Sequence, residues 1–368
     1  MEITTISALA AALRGPVPGR VALDDGLRAV AYGELGPLVE EEGRWLAALG
    51  GQRFALLAEN GVPWAVTDLA LHLRQTLSVP LPGYFTAEQS VHALDDAGVD
   101  TVVTDTPERL AGILSGWNQA GTSSRTGLSL FRRQLDPEDR APAPPGTAKV
   151  TYTSGSTASP KGVCLSTSHL EAVASSVAAA SATLKIERHL CLLPLPTLLE
   201  NVAGIYAPLL AGATCILPPS SATGMSYTGP DPALLLRTIA TSGTESLILV
   251  PELLRLLVTA VERGWRAPTT LKFIAVGGAS VSMALLERAA AAGLPVYEGY
   301  GLSECASVVS LNTPAGRRPG SVGRPLPHAR ARIGDDGQIM VSGVSMLGYL
   351  GGEAPHEFHL CGDRPRGR

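Results

Sequence analysis

Lysine is almost missing from this chain. Only Lys149, Lys161, Lys185 and Lys272 occur in 368 residues, and every other basic side chain counted in the charge is an arginine. Lys and Arg total 29 against 33 Asp and Glu, a formal net charge of -4. No long basic run appears, which argues against nucleic acid or an anionic membrane surface as partner. Cysteine is sparse too. Cys164, Cys191, Cys215, Cys305 and Cys361 are scattered without a Cys-x-x-Cys pair. They read as buried thiols in a reducing, cytoplasmic compartment rather than as a disulfide frame or a zinc motif. No apolar run approaches the roughly 18 residues of a membrane span. The N-terminus has a short apolar stretch, but Glu2 and the absence of a basic n-region make it a poor signal peptide. Neither an internal repeat nor a low-complexity tract stands out.

What is present fits an ordinary globular protein: 45% hydrophobic and 17% charged residues, in a chain long enough for about two or three packed units. Apolar strand-like runs alternate with amphipathic helix-like ones, which predicts α/β architecture with largely parallel sheets. The pattern predicts strands over 53–58 and 101–104, with a helix over about 63–73 between them. Ser168-His-Leu-Glu171 has capping-box spacing and opens an alanine-rich helix. Asp231-Pro232 reads as an N-cap with a first-turn proline, and Gly243 as a stop. Strands over 246–250, 271–276 and 295–297 then alternate with helices over 251–263 and 282–292. Beyond about residue 311 the texture becomes β-rich. Ala329-Arg-Ala-Arg-Ile333 and Gln338-Ile-Met-Val341 flank the turn-forming Gly334-Asp-Asp-Gly337. The expected units are 1–180, 181–310 and 311–368.

Three clusters carry the chemistry. The first is Tyr152-Thr-Ser-Gly-Ser-Thr-Ala-Ser-Pro-Lys-Gly-Val163, just after the Pro/Gly-rich segment 141–146. Its glycines can expose consecutive backbone N–H groups as an anion nest, hydroxyls add neutral donors, and Lys161 adds a charge suited to polyphosphate. Lys161 precedes Gly162 and is not followed by Ser or Thr at once, so the Walker spacing is not met. Composition alone favours a solvent loop. The second cluster is Val276-Gly-Gly-Ala-Ser280, between a strand and a helix, where bare backbone can approach a ligand. The third is Glu298-Gly-Tyr-Gly-Leu-Ser-Glu304. Tyr300 offers a flat face between Gly299 and Gly301, Ser303 a hydroxyl, and Glu304 a hard oxygen suited to Mg²⁺.

The loop and the order of these clusters resemble the adenylate-forming superfamily of acyl-CoA synthetases, non-ribosomal adenylation domains and luciferases. Ala158 stands where that family usually has glycine. The resemblance implies two doubly wound, mostly parallel sheets sandwiched with helices, plus a small β-barrel-like subdomain. It implies ATP-dependent activation of a carboxylic acid to acyl-AMP with release of pyrophosphate. Transfer to the thiol of CoA or a phosphopantetheine carrier such as acyl carrier protein would follow. Thr153, Ser154, Gly155, Ser156, Thr157 and Lys161 would hold the phosphates. Gly278 and Ala279 would line the adenine and acyl region, and Glu298 would neighbour the adenine amino group. Gly299 and Tyr300 would flank and stack on the base, Ser303 would touch the α-phosphate, and Glu304 would bind Mg²⁺. Gly362-Asp363 resembles a Thr-Gly-Asp motif, with Cys361 in place of threonine, and Asp363 would accept the ribose hydroxyls.

Leu192-Leu-Pro-Leu-Pro-Thr-Leu-Leu-Glu-Asn-Val-Ala-Gly204 resembles the segment that lines the acid pocket in long-chain acyl-CoA synthetases. Thr197, Asn201, Gly204, Val250, Gly277, Gly278 and Gly301 are the implied acid-pocket residues. No aspartate is placed to pair with a substrate amine, so a fatty or aryl acid without a free α-amine is expected. A carboxylate is already ionised at neutral pH, so no general base is required. His356-Glu-Phe-His359 is one residue short of His-Glu-x-x-His and is not expected to hold metal. In the superfamily a C-terminal domain beyond the Gly-Asp motif supplies a further lysine. No lysine follows Lys272, so slow adenylation by this chain alone is expected. A non-catalytic nucleotide- or acyl-adenylate-binding module is the alternative, and a β-lactone-forming or carrier-loading enzyme remains open.

Overall fold

A computed structural model describes residues 7–15, 17–110, 112–113, 116–136, 138, 140–153, 160–225 and 229–352, with the backbone of 359–360. Its first sheet has eight strands. In spatial order they are Gly348–Tyr349, Lys161–Leu165, Lys149–Thr153, Leu77–Pro80, Arg53–Leu57, Thr101–Thr104, Ser129–Arg132 and Asn118–Thr122. The inner pairs are parallel and the edge pairs antiparallel. Leu77–Pro80 and Thr101–Thr104 are buried at every position. Strands covered on both faces need continuous rather than alternating burial, which is why their apolar runs are unbroken.

The second sheet has nine strands. Their order is Arg324–Pro325, Ser307–Leu311, Val296–Leu302, Phe273–Val276, Ser246–Leu249, Arg188–Leu190, Thr214–Ile216, Val21–Asp24 and Ala29–Ala31. Five consecutive strands from Val296–Leu302 to Thr214–Ile216 run parallel. A small antiparallel sheet of Ala329–Ile333, Ile339–Gly343 and His359–Leu360 completes the set, with the hairpin closing at Ile333↔Ile339 as the turn residues imply. Sheet membership does not follow the expected chain boundaries. Val21–Ala31 sits in the second sheet, Gly348–Tyr349 crosses back to the first, and Ser307–Leu311 extends the second sheet past residue 310. Long-range pairing, which no local pattern encodes, decides this.

Helices Tyr32–Ala48, Val62–Leu73 and Thr167–Ser181 pack between the sheets. Their Leu35, Leu46, Trp64, Leu69, Leu170 and Val173 join one core with Leu56 and Val163 of the first sheet and Cys215 and Phe273 of the second. Their caps are mostly readable. Asp231 accepts from the N–H groups of Ala233 and Leu234, and Ser282 from Leu285. The alanine-rich helix, however, is capped by Ser166, which accepts from His169, two residues before the expected Ser168. Among the described residues no helix is long and apolar enough to cross a membrane.

A buried polar knot ties the halves together. Lys149 donates to Asp68 at 2.7 Å, to Asn201 at 2.5 Å and to Tyr206 at 3.0 Å, while Tyr206 and Asn201 donate to Asp68 at 2.6 and 2.9 Å. Asp68 belongs to the helix Val62–Leu73 and Lys149 to a strand of the first sheet. Asn201 and Tyr206 lie on Glu200–Tyr206, a π-helix under the second sheet. Mid-chain π turns are rare and often mark functional regions.

Candidate functional site

The strands of the two sheets end around a cleft of about 1030 Å³. From the first sheet come Thr151, Tyr152 and Thr153; from the second come Gly277, Gly278 and residues 299–304. Thr153 closes its strand and Lys161 opens the next, the two being Cα partners. Ser154, Gly155, Ser156, Thr157 and Ala158 lie outside the described residues, as do Cys361, Asp363 and the residues 353–358 that include His356.

Local geometry explains the glycines at two positions. Gly278 has φ +82°, a left-handed conformation that costs an L side chain about 1 kcal/mol. Gly301 is pressed against the neighbouring strand: a Cβ there would overlap the Ser307 carbonyl oxygen. The Glu298–Leu302 segment was expected to follow its strand, yet it is the second half of Val296–Leu302, pairing with Ser307–Leu311 through an irregularity at Tyr300/Gly301. Gly301→Ala should force these strands apart, at a cost of about 1–3 kcal/mol for overpacking. A lower Tm together with at least tenfold weaker nucleotide binding by calorimetry is the expected result.

Glu304 is held at both ends. Its carbonyl accepts from Met346 N–H at 2.6 Å, and its Oε1 from the Tyr349 hydroxyl at 3.0 Å. The Lys161 ammonium stands 5.5 Å from the Tyr349 ring centroid. Burial, followed by the charge of and hydrogen bond to Glu304, pushes the Tyr349 phenol up to about 12, so it stays a donor at neutral pH. Tyr349 has no local sequence signal beyond the triplet Leu347-Gly-Tyr349. Tyr300 is half-buried with an unpartnered hydroxyl, and burial first, then Cys305 and Glu304, raise its pKa.

Other expected residues are placed differently. Thr197 lines the cleft, its hydroxyl donating to Pro194 carbonyl at 2.6 Å. Asn201 and Gly204 do not. Asn201 is spent in the Lys149 knot, and Gly204 faces inward, where a Cβ would stand 2.8 Å from Glu200 Oε1. Their π-helix turns these positions toward the core. Glu298 points to a loop, accepting from Gly320 N–H at 2.8 Å; burial raises its pKa, opposed by that bond and by Arg317. Ala279 is exposed and Val250 caps a helix beside Gly278, and neither is a cleft wall. Conversely, Phe273, His189 and Ser246 line the cleft without a sequence signal, His189 Nδ1 standing 2.8 Å from Ser246 Oγ. Around Glu304 no group of three His, Cys, Asp or Glu forms among the described residues.

A family model described as AMP-binding enzyme matches residues 11–350. The chain is 29% identical over 315 residues to a PKS-NRPS hybrid synthetase of Aspergillus candidus, covering 82% of this chain and 12% of that protein. It is 28% identical over 357 residues to a feruloyl-CoA synthase of Amycolatopsis sp, covering 91% of this chain and 69% of the relative. Among solved structures, an anthranilate CoA ligase in complex with anthranoyl-AMP superposes with TM-score 0.75 at 18% identity, over 93% of this chain and 70% of that one. The chain therefore spans about an eighth of the hybrid synthetase and about 70% of these ligases.

Proposed function

Because the chain belongs to the AMP-binding enzyme family, we propose that it activates a carboxylic acid with ATP as acyl-AMP, releasing pyrophosphate, for transfer to a thiol of CoA or of a carrier protein. One observation carries this reading: Thr153 of one sheet, whose strand partner is Lys161, lines a cleft together with Gly277, Gly278 and the Tyr300–Glu304 turn of the other. The nucleotide fits these residues. Gly277 and Gly278 keep the cleft edge bare, Tyr300 offers an aromatic face, and its buried hydroxyl lacks a partner. Mg²⁺ fits Glu304, whose Oε1 alone carries a hydrogen bond among the described residues. Bound there, it would offset charge on the phosphates.

The rest is the task of the chain itself. Carboxylate and triphosphate repel, so the site must hold both anions and neutralise them; in-line attack at phosphorus needs position more than covalent help. Lys161 supplies a mobile ammonium at the phosphate end, with Tyr349 between it and Glu304. Glu304 is the only carboxylate on the cleft wall among the described residues, and Tyr349 engages it. No acid is thus free for a substrate α-ammonium, which favours a fatty or aryl acid. Pro80, Phe85, Val177, Ile186 and Phe273 give it apolar walls.

ATP–pyrophosphate exchange over a panel of aryl and aliphatic acids, with calorimetry of AMP and a non-hydrolysable acyl-AMP mimic, tests the reading. Acid-dependent exchange is expected, with the mimic bound at least about 10²-fold tighter than AMP. Nucleotide binding without exchange for any acid, and no preference for the mimic, would replace it with a binding module.

A further inference from the structure

Extending inward from the cleft wall at His189 lies a second cluster that the adenylation chemistry does not use. His189 belongs to the strand Arg188–Leu190, and Cys191 continues the ladder with its N–H on the Ile216 carbonyl at 2.9 Å. Two residues apart, they present side chains to the same sheet face. Glu200 opens the π-helix that covers this face. One imidazole nitrogen, the thiol sulfur and one carboxylate oxygen all lie within 4.8 Å of one another, and all three residues are buried.

Cys191 Sγ donates to the Gly204 carbonyl at 3.2 Å, but three other polar atoms of the cluster have no such partner among the described residues. Both Glu200 oxygens and His189 Nε2 are buried without a hydrogen bond, Nε2 being 3.8 Å from Oε1. Burial raises the Glu200 carboxyl, opposed by its neighbours His189, Cys191 and the Leu193 N–H, none of which is placed for an ordinary hydrogen bond; polar atoms so loosely paired call for an explanation. Gly204 keeps the space open, since a Cβ there would crowd Glu200 Oε1 at 2.8 Å and Cys191 Sγ at 3.2 Å.

We propose that His189, Cys191 and Glu200 bind a divalent transition metal of the zinc class, which pins the π-helix to the sheet. Imidazole and thiolate together select zinc over the hard cations. One thiolate and one carboxylate balance two positive charges, so the loaded cluster is neutral. Ligand bonds of about 2.0–2.3 Å put tetrahedral ligand atoms about 3.3–3.8 Å apart, within side-chain adjustment of the observed spacing. Ser246 Oγ at 2.8 Å from Nδ1 orients the ring and leaves Nε2 for the ion, the usual outer partner of a ligating histidine. The fourth position is left to solvent. The scattered cysteines argued against a zinc motif because the ligands come from a strand and a helix that only tertiary packing joins.

Metal analysis of the protein purified with zinc, and cobalt titration of the chelator-treated form, decide the matter. Expected are one ion per chain and a thiolate-to-cobalt charge-transfer band with tetrahedral d–d absorption. His356→Ala/His359→Ala should keep both signals, Cys191→Ser should lose the charge-transfer band, and Ser246→Ala should weaken affinity about 10–100-fold. Metal well below one per chain with no cobalt band in the wild-type chain overturns the proposal whether or not the variants fold. So does a band that survives in Cys191→Ser.

Discussion

Replacing Lys149 with methionine is expected to destabilise the chain by about 3–5 kcal/mol, because it leaves Asp68 as a buried charge without its partner. Lys149 and Asp68 are 2% and 1% exposed, so neither can turn to water. Two further donors, Tyr206 and Asn201, stay on Asp68 and soften the loss without replacing the charge. The double variant Lys149→Met/Asp68→Leu should recover much of it, since removing both ions relieves the desolvation that one alone cannot. Urea unfolding of the three proteins measures this; a single-variant loss below about 1 kcal/mol contradicts it. The pair also has a pH signature. Burial works to raise the Asp68 carboxyl, but the Lys149 ammonium and the hydrogen bonds from Lys149, Tyr206 and Asn201 override it and hold the value down. A depressed folded value stabilises above the unfolded one, about 3.9, and is lost as pH falls through the folded value. Without Lys149 burial dominates at Asp68 and raises its folded value, so the stability deficit of the Lys149→Met chain relative to the parent should shrink as pH falls.

That lysine shows where sequence reading stopped. Thr101–Thr104, the Ala329–Ile333 hairpin, the Asp231 cap and the alternation from 246 to 292 follow local rules of periodicity and turn chemistry, and each occurs within a residue or two of its expected place. The cleft motifs were legible as well, because backbone approach demands glycine at fixed points. Lys149, by contrast, carries no local signal, and nothing in the sequence around it says that Asp68 and Asn201 will meet it across 81 and 52 residues. Asn201 and Gly204 were assigned to the acid pocket by the resemblance of the 192–204 segment; on their π turn they face the core instead. His189 and Glu200 were silent for the same reason, since their partnership exists only between layers.

Glu304→Gln should lower acyl-adenylate formation about 10²–10³-fold, the range for removing one preorganised electrostatic contact at a transition state. The substitution isolates charge. Glutamine keeps an oxygen for the Tyr349 hydroxyl, and the Met346 N–H bond to the backbone carbonyl is untouched, so the turn Ser303–Cys305 keeps its place. Stability should therefore stay within about 0.5 kcal/mol, as for changes that break no packing. What disappears is the negative oxygen offered to a hard cation. The half-saturating Mg²⁺ concentration should rise along with the loss of rate, while affinity for the nucleoside part, which the proposed function assigns to Tyr300 and the glycine edge, should change little. Tyr349→Phe separates orientation from charge: it keeps the carboxylate but removes its donor, and its effect should be the smaller of the two, about 10-fold or more for one hydrogen bond to a charged group. Pyrophosphate exchange at graded Mg²⁺, alongside adenosine binding by calorimetry, measures both effects. A Glu304→Gln chain with unchanged Mg²⁺ dependence would remove Glu304 from the chemistry and leave it only a fastener between the turn and Tyr349.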